Sequence, residues 1–439
     1  MRVSLNNILF YSLLTLPISF KIQFYEGVFL YPQEIIMALV ILLIVIVDSK
    51  RYLHLPKYIS PFFYYLISIG IIVLCTLISF ANYIDISGLF KSIKYGLYIV
   101  AICLIAKNNF YSFVDTFNKI AFLSILFTIS LYAIQWYNYP GSTGDYFSLT
   151  TWDVNYVPSG LSNLNLSLSD FTFSRSAGNH GIYGSYLVLV YILNIHILVS
   201  ENIKENKFSL ILVILAVFNL LLLTSRESIL IFVLVNAAFF LKDLLRLRIK
   251  KIYFYFFIAL SVFLIVIISK GVNLGLINKI QYTIESFSTS GGEQNLNLRF
   301  NVWVLILLSY LLFPLHLLIG YGYNEPNFID YLEQTNAELA HFQHFATVPE
   351  SLFFVMLAYG GILALISICL FFLTILLKTF NLRKFSPLHT LFFYFVIGLL
   401  ITNNTGASLM SDLLLAQFSL FYIFINKTYE QDKAVAYNR

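Results

Sequence analysis

Residues 350–377 read ESLFFVMLAYGGILALISICLFFLTILL, and no Asp, Glu, Lys or Arg follows Glu350 until Lys378. A helix of about 20 apolar residues crosses a hydrocarbon core. This stretch meets that length, so it predicts a transmembrane helix. Working outward, similar runs fall near 5–20, 28–47, 61–81, 89–106, 120–137, 182–199, 209–223, 228–241, 252–269, 388–402 and 412–426. Over all 439 residues, 59% are hydrophobic, 18% aromatic and only 11% charged, with a mean hydropathy of +0.81. A soluble domain carries charge on about a quarter of its residues. That excludes a soluble enzyme, a nucleic-acid-binding domain and a secreted disulfide scaffold. The expected fold is an all-α polytopic membrane protein, a single transmembrane domain over residues 1–439 with about 12 spans.

The remaining composition adds little. Cys75, Cys103 and Cys369 all lie in apolar runs, which reads as packing and not as disulfides or a metal site. The N-terminal stretch has one basic residue and no small-residue cleavage site, so it reads as the first span. The net charge of +5 matters through its placement, because Lys and Arg set topology.

With a cytoplasmic N-terminus, 19 of the 27 Lys and Arg fall on the inner side. The densest groups are Lys242, Arg246, Arg248, Lys250 and Lys251, then Lys378, Arg383 and Lys384. Lys21, Arg175, Arg226, Lys270, Lys279 and Arg299 fall outside, and Lys91 and Lys94 lie within a span. This bias puts both termini in the cytoplasm. It also splits residues 209–241 into two short helices with Thr224-Ser225-Arg226-Glu227 at the outer tip, since one long helix would export the five-charge loop. The run 302–320 contains Pro314 and His316 and ends at Gly320-Tyr321-Gly322. A crossing there would export the last two basic segments, so it is expected to be a re-entrant or interfacial helix packed against protein. Two long outer loops follow, 138–181 and 270–349, rich in Tyr and Phe and containing Trp152 and Trp303. They are expected to be ordered and to place the function on the outer side.

Ionisable groups in or beside a bilayer are functional candidates. Arg226 sits at a tip flanked by helices of about 15 residues, about 22 Å long, so it lies near the outer headgroups. A guanidinium there suits a phosphate; a local Arg226–Glu227 pair or a headgroup contact is the competing reading. Arg299 enters the 302–320 run, and Arg175 leads into the sixth span; each is an anion ligand or a solvated loop charge. Lys91 and Lys94, three apart, share a helix face at the outer end of the fourth span. They snorkel to headgroups, or they add to an anion cradle beside Arg226.

The stretch His341-Phe342-Gln343-His344-Phe345-Ala346-Thr347-Val348-Pro349-Glu350-Ser351 runs straight into the long apolar helix. Pro349 and Glu350 suit a helix start. The functional alternative makes Glu350 or His344 a proton acceptor at the membrane boundary. The His spacing fits no zinc motif, and no nucleotide-binding or nucleophile-elbow signature is present. No metal and no cofactor are expected.

These motifs resemble, in order and in side of the membrane, the bacterial O-antigen polymerase and O-antigen ligase superfamily. The resemblance rests on Ser174-Arg175-Ser176-Ala177-Gly178, Thr224-Ser225-Arg226, Arg299 with Trp303, Pro314 with Gly320-Tyr321-Gly322, and Pro349-Glu350-Ser351 with Gly360-Gly361. It implies a C-type membrane glycosyltransferase fold in the bacterial inner membrane, with its active face periplasmic. It also implies an inverting, metal-independent transfer of a glycan from a polyprenyl diphosphate carrier to an acceptor hydroxyl. On the same grounds Arg226 and Arg299, with Arg175, would bind the donor diphosphate. The ligase branch usually has a His-Asn pair where this chain has Pro349-Glu350, so the polymerase branch fits better, with Glu350 ahead of His344 as base. The implied partners are a polyprenyl-diphosphate-linked oligosaccharide, the lipid bilayer and a chain-length regulator protein, with no nucleic acid. Two alternatives stay open: a ligase moving polymer to a lipid A core, and a flippase of lipid-linked oligosaccharide.

Overall fold

The computed structural model describes residues 5–19, 22–25, 28–48, 56–79, 86–106, 113–138, 180–200, 206–222, 225–245, 294–383, 386–404, 406 and 408–437. Fourteen α-helices run through them. The first eight are α1 Leu5–Leu14, α2 Pro32–Asp48, α3 Ser60–Ser79, α4 Ile86–Ile105, α5 Phe113–Asn138, α6 His180–Ser200, α7 Lys207–Leu222 and α8 Arg226–Leu245. The others are α9 Gln294–Leu312, α10 His316–Ile319, α11 Glu325–Thr335, α12 Leu352–Leu382, α13 Pro387–Thr402 and α14 Asp412–Tyr437. Among the described residues, five stretches are long and apolar enough to cross a membrane: 57–79, 86–105, 113–130, 181–200 and 352–382. The chain is thus a multi-pass membrane protein. Side chains that a water-soluble helix would bury, such as Leu42, Ile46, Leu74, Ile78 and Leu373, lie exposed on its outer faces, where lipid would meet them.

The split of residues 209–241 into two helices is observed, α7 ending at Leu222 and α8 starting at Arg226. The span expected at 252–269 lies outside the described residues, as do 139–179 of the first long outer loop. One departure from an all-α chain is an antiparallel hairpin, β1 Ile22–Tyr25 with β2 Val28–Leu30, pairing Ile22 with Leu30 and Tyr25 with Val28. A two-stranded ladder satisfies part of the backbone just before α2 begins.

A second departure concerns 270–349. Its described part, 294–349, is mostly helical. The helix expected at 302 begins already at Gln294, and it stops at Leu312 because Pro314 disfavours helix at the residue before it. Beyond the break, His316 stacks on Tyr321 with 4.4 Å between ring centroids, and its Nδ1 lies 2.7 Å from Gly320 O. Tyr321 donates its hydroxyl to Ser309 Oγ at 2.7 Å, and Tyr331 packs on both rings. Helices α9 to α11 therefore fold back on one another around buried aromatics.

This unit docks where α12 breaks. Gly361 has φ +66° and ψ −166°, far from helical values. Around that break, three consecutive carbonyls of α12 take donors from the docked unit. Tyr310 O–H reaches Leu357 O at 2.8 Å, Tyr321 N–H reaches Ala358 O at 2.7 Å, and Gly322 N–H reaches Tyr359 O at 3.0 Å. Gly320 lies so close that a Cβ there would stand 2.6 Å from Gly360 N. On the other side, Tyr323 N–H donates to Thr76 Oγ1 of α3 at 2.8 Å. Helix α12 also packs along α3 and α13, while α6 contacts α7, α8 and α14.

The far ends are tied as the charge bias requires. Lys378, late in α12, donates to Lys57 O at 2.8 Å and to Ser60 Oγ at 2.9 Å. Tyr58 O–H reaches Ala106 O at 2.9 Å, just past α4. The ends of α12 and α4 and the start of α3 thus share one side.

At Gly361 both the positive φ and the contact with Leu318 O exclude a side chain. Gly361→Ala is expected to destabilise the detergent-solubilised protein by about 1–3 kcal/mol, read as a lowered Tm. Gly70→Ala, in α3 with nothing within 4 Å of the new methyl, should leave Tm unchanged or raise it.

Candidate functional site

Four segments meet at one end of the helices: the start of α8, the start of α9, the turn before α12 and the loop between α13 and α14. Ser225 caps α8, its Oγ accepting from Ser228 N–H at 3.2 Å, so Arg226 and Glu227 occupy the first turn. The buried Ser228 lies against Gly184 of α6, where a Cβ would clash with its hydroxyl. That close approach fixes the height of the α8 tip.

Arg299 projects from the second turn of α9. Residues 344–350 are held beside the same turns: Leu298 O accepts from Ala346 N–H at 3.4 Å, and Asn301 Nδ2 donates to His344 O at 2.9 Å. The chain arrives there from a π-helical turn, Asn336–Ala340, closed by His341 at φ +54°. Asn336 clasps that reversal, accepting from Phe342 N–H at 2.6 Å and donating to Phe342 O at 3.0 Å. Trp303 Nε1–H donates to Pro349 O at 2.7 Å while its indole stacks on Phe354, at 5.1 Å and 4° between planes.

Glu350 follows with φ +48°, in the left-handed region. Ser351 N–H bonds to Pro349 O at 2.6 Å, closing a three-residue turn around it. Such a conformation is strained for a residue with a Cβ and persists only when its surroundings over-determine it. Here they do. Leu352 N–H bonds to Asn403 O at 2.9 Å and to Gly406 O at 3.2 Å, and Ser351 Oγ donates to Asn403 O at 3.3 Å. The result aims the Glu350 carboxylate at Arg299, with which it forms an ion pair; the side chains are 44% and 28% exposed.

Glu227 completes the cluster. It interacts electrostatically with Arg299, Glu350 and Arg226. Its carboxylate lies against Gly406, where a Cβ would stand 2.9 Å from Oε1. Glu227 lies at the tip, outside the span predicted at 228–241, and burial raises its carboxyl above the ordinary range. Arg299 opposes this, Glu350 adds to it, and Arg226 opposes it in turn. Two arginines and two carboxylates thus gather at one mouth.

The structure therefore brings together Arg226, Arg299 and Glu350 from the sequence-expected set. His344 enters through its backbone carbonyl, and its side chain is exposed. Arg175 lies outside the described residues. Lys91 stands 5.7 Å from the centroid of the Tyr323 ring. Lys94 faces carboxylates, bonding Asp412 Oδ2 at 2.6 Å and Glu34 Oε1 at 3.2 Å, so its charge is already compensated. Sequence reading took Glu227 only as a local partner of Arg226 and did not single out Glu34 or Asp412. An acid inside the apolar run 28–47 was a signal for the former. Among the described residues, no three His, Cys, Asp or Glu side chains form a group able to hold a metal ion.

The chain matches no described protein family and no curated protein. The resemblance to O-antigen polymerases and ligases thus stands on motif order alone.

Trp303→Phe keeps a ring to stack on Phe354 but removes the donor to Pro349 O. The 349–351 turn should loosen by about 1 kcal/mol, seen as faster hydrogen exchange at the Ser351 and Leu352 amides. Unchanged exchange there would show that Trp303 does not hold the turn.

Proposed function

We propose that this protein is a polysaccharide polymerase, with about twelve spans in the bacterial inner membrane. On the outer face it would join lipid-linked repeat units, using a polyprenyl diphosphate as leaving group. The observation that carries the reading is the Arg299–Glu350 ion pair, with Arg226 and Glu227 in the same electrostatic group. A guanidinium cluster suits a diphosphate, which it can bind bidentately. A carboxylate beside it suits proton acceptance from a sugar hydroxyl.

The chemistry then follows from the pairing. In the resting protein Glu350 occupies Arg299. An arriving diphosphate competes for that guanidinium and releases the carboxylate. Glu350 takes the proton of the acceptor hydroxyl as its oxygen attacks the anomeric carbon. The bond from that carbon to the diphosphate oxygen breaks, and its electron pair leaves with the diphosphate. Attack from the face opposite the leaving group inverts the anomeric centre. Arg226 and Arg299 stabilise the charge that develops on the departing group. Glu227, half-buried beside them, would balance part of their charge.

Reconstituted protein given the lipid-linked repeat unit of its own cell, without nucleotide or metal, should make a ladder spaced by one repeat. Arg226→Ala and Arg299→Ala should each slow ladder growth by about 100-fold or more, with Arg299→Lys retaining part of the rate. Normal ladders from both alanine variants would overturn the phosphate role. Transfer only to a lipid A core acceptor would make the protein a ligase, and movement of lipid across the vesicle without new glycosidic bonds would make it a flippase.

Glu350→Gln should abolish growth at every pH while the protein still binds the lipid-linked donor. Retained growth would assign the base elsewhere, with Glu227 the nearest carboxylate.

A further inference from the structure

Lys94 lies about 12 Å along α4 from the end at Ile86. Its ammonium joins Asp412, at the start of α14, to Glu34, in the first turn of α2. The side chains of Lys94, Glu34 and Asp412 are 10%, 1% and 8% exposed. One ammonium between two carboxylates leaves a net charge of −1 if all three are ionised. A charge buried without a partner is strongly unfavourable, and the usual resolution is a change of protonation.

The hydrogen bonds around the cluster leave one position open. Glu34 Oε1 accepts from Tyr98 O–H at 2.5 Å, and Oε2 accepts from Tyr31 N–H at 2.8 Å. Asp412 Oδ2 takes Lys94, but Oδ1 is buried and no group among the described residues bonds to it. Among the described residues, the other titratable groups facing the pair are tyrosines: Tyr31, whose ring centroid is 5.9 Å from the Lys94 ammonium, Tyr65 of α3, and Tyr95 with Tyr98 of α4. Their phenols add no positive charge. Tyr65 donates to Leu409 O at 3.1 Å and Tyr95 to Met410 O. A metal cation would have to sit against the Lys94 ammonium. A proton balances the cluster without that repulsion.

We propose that Lys94, Glu34 and Asp412 form an intramembrane proton-binding site, in which the two carboxylates share one exchangeable proton at neutral pH. The step is the formation of one O–H bond on a carboxylate oxygen, with water on the outer side as source and sink. The proposal is independent of the glycan reading, since it concerns neither Arg299 nor Glu350. It does reach the same loop: Asn403, whose carbonyl holds Ser351 and Leu352, also accepts from Leu409 N–H at 3.4 Å.

Infrared difference spectroscopy on the full chain in lipid vesicles, between neutral and strongly alkaline buffer, tests it directly. The wild type should show one carboxylic C=O band that bleaches in alkali and shifts in heavy water. Asp412→Asn and Glu34→Gln should each lose that band, because one ammonium then faces one carboxylate. Lys94→Met should double it, because both carboxylates then need protons. Absence of the band in the wild type overturns the proposal without any variant. So does a band that survives in both carboxylate variants, which would belong to another group such as Glu227.

Discussion

Backbone carbonyls inside a membrane protein need donors, and the break in α12 is where this chain must find them outside the helix. Tyr310, Tyr321 and Gly322 provide them to Leu357, Ala358 and Tyr359. This requirement explains why α9 to α11 lie against α3 and α12. It also sets the site. Once the Gly320–Gly322 turn is locked onto the break, α9 is held with Arg299 and Trp303 beside the Pro349–Ser351 turn that begins the same helix α12. The break and the ion pair are two ends of one arrangement.

Close approach is the second theme. Gly184 admits Ser228, and Gly406 admits the Glu227 carboxylate. Small residues let backbones and polar groups meet where larger side chains would hold them apart. The cluster they permit is electrostatically balanced, two guanidinia against two carboxylates. A balanced group can sit half-buried at a mouth without a bound anion, and it can trade a carboxylate for a phosphate without opening a large uncompensated charge.

Much of the architecture was legible as hydropathy and charge placement. The apolar runs locate most of the helices, and the Lys242–Lys251 group separates α7 from α8. Arg226, Arg299 and Glu350 were legible as ionised groups in places that exclude them without a reason. Other features were hidden because they depend on partners far away in sequence. Lys94 looked like half of a cationic pair with Lys91, yet its partners Glu34 and Asp412 come from the second and last helices. The helix from Gln294 was masked by the polar residues Asn295, Asn297, Arg299 and Asn301; of these, Arg299 pairs with Glu350 and Asn301 holds His344 O. The short hairpin at 22–30 had no alternating pattern strong enough to distinguish it from the apolar run that follows.

Glu350 carries a further consequence. Its φ of +48° belongs to a region where glycine is at ease and a Cβ is worth about 1–2 kcal/mol of strain. Judged by the fold alone, glycine is the better residue there. Any scheme that ranks substitutions by stability would therefore favour Glu350→Gly, a more relaxed chain with no carboxylate facing Arg299. Thermal robustness and the occupied mouth pull in opposite directions at this one position. A stabilised variant of this protein should be sought elsewhere.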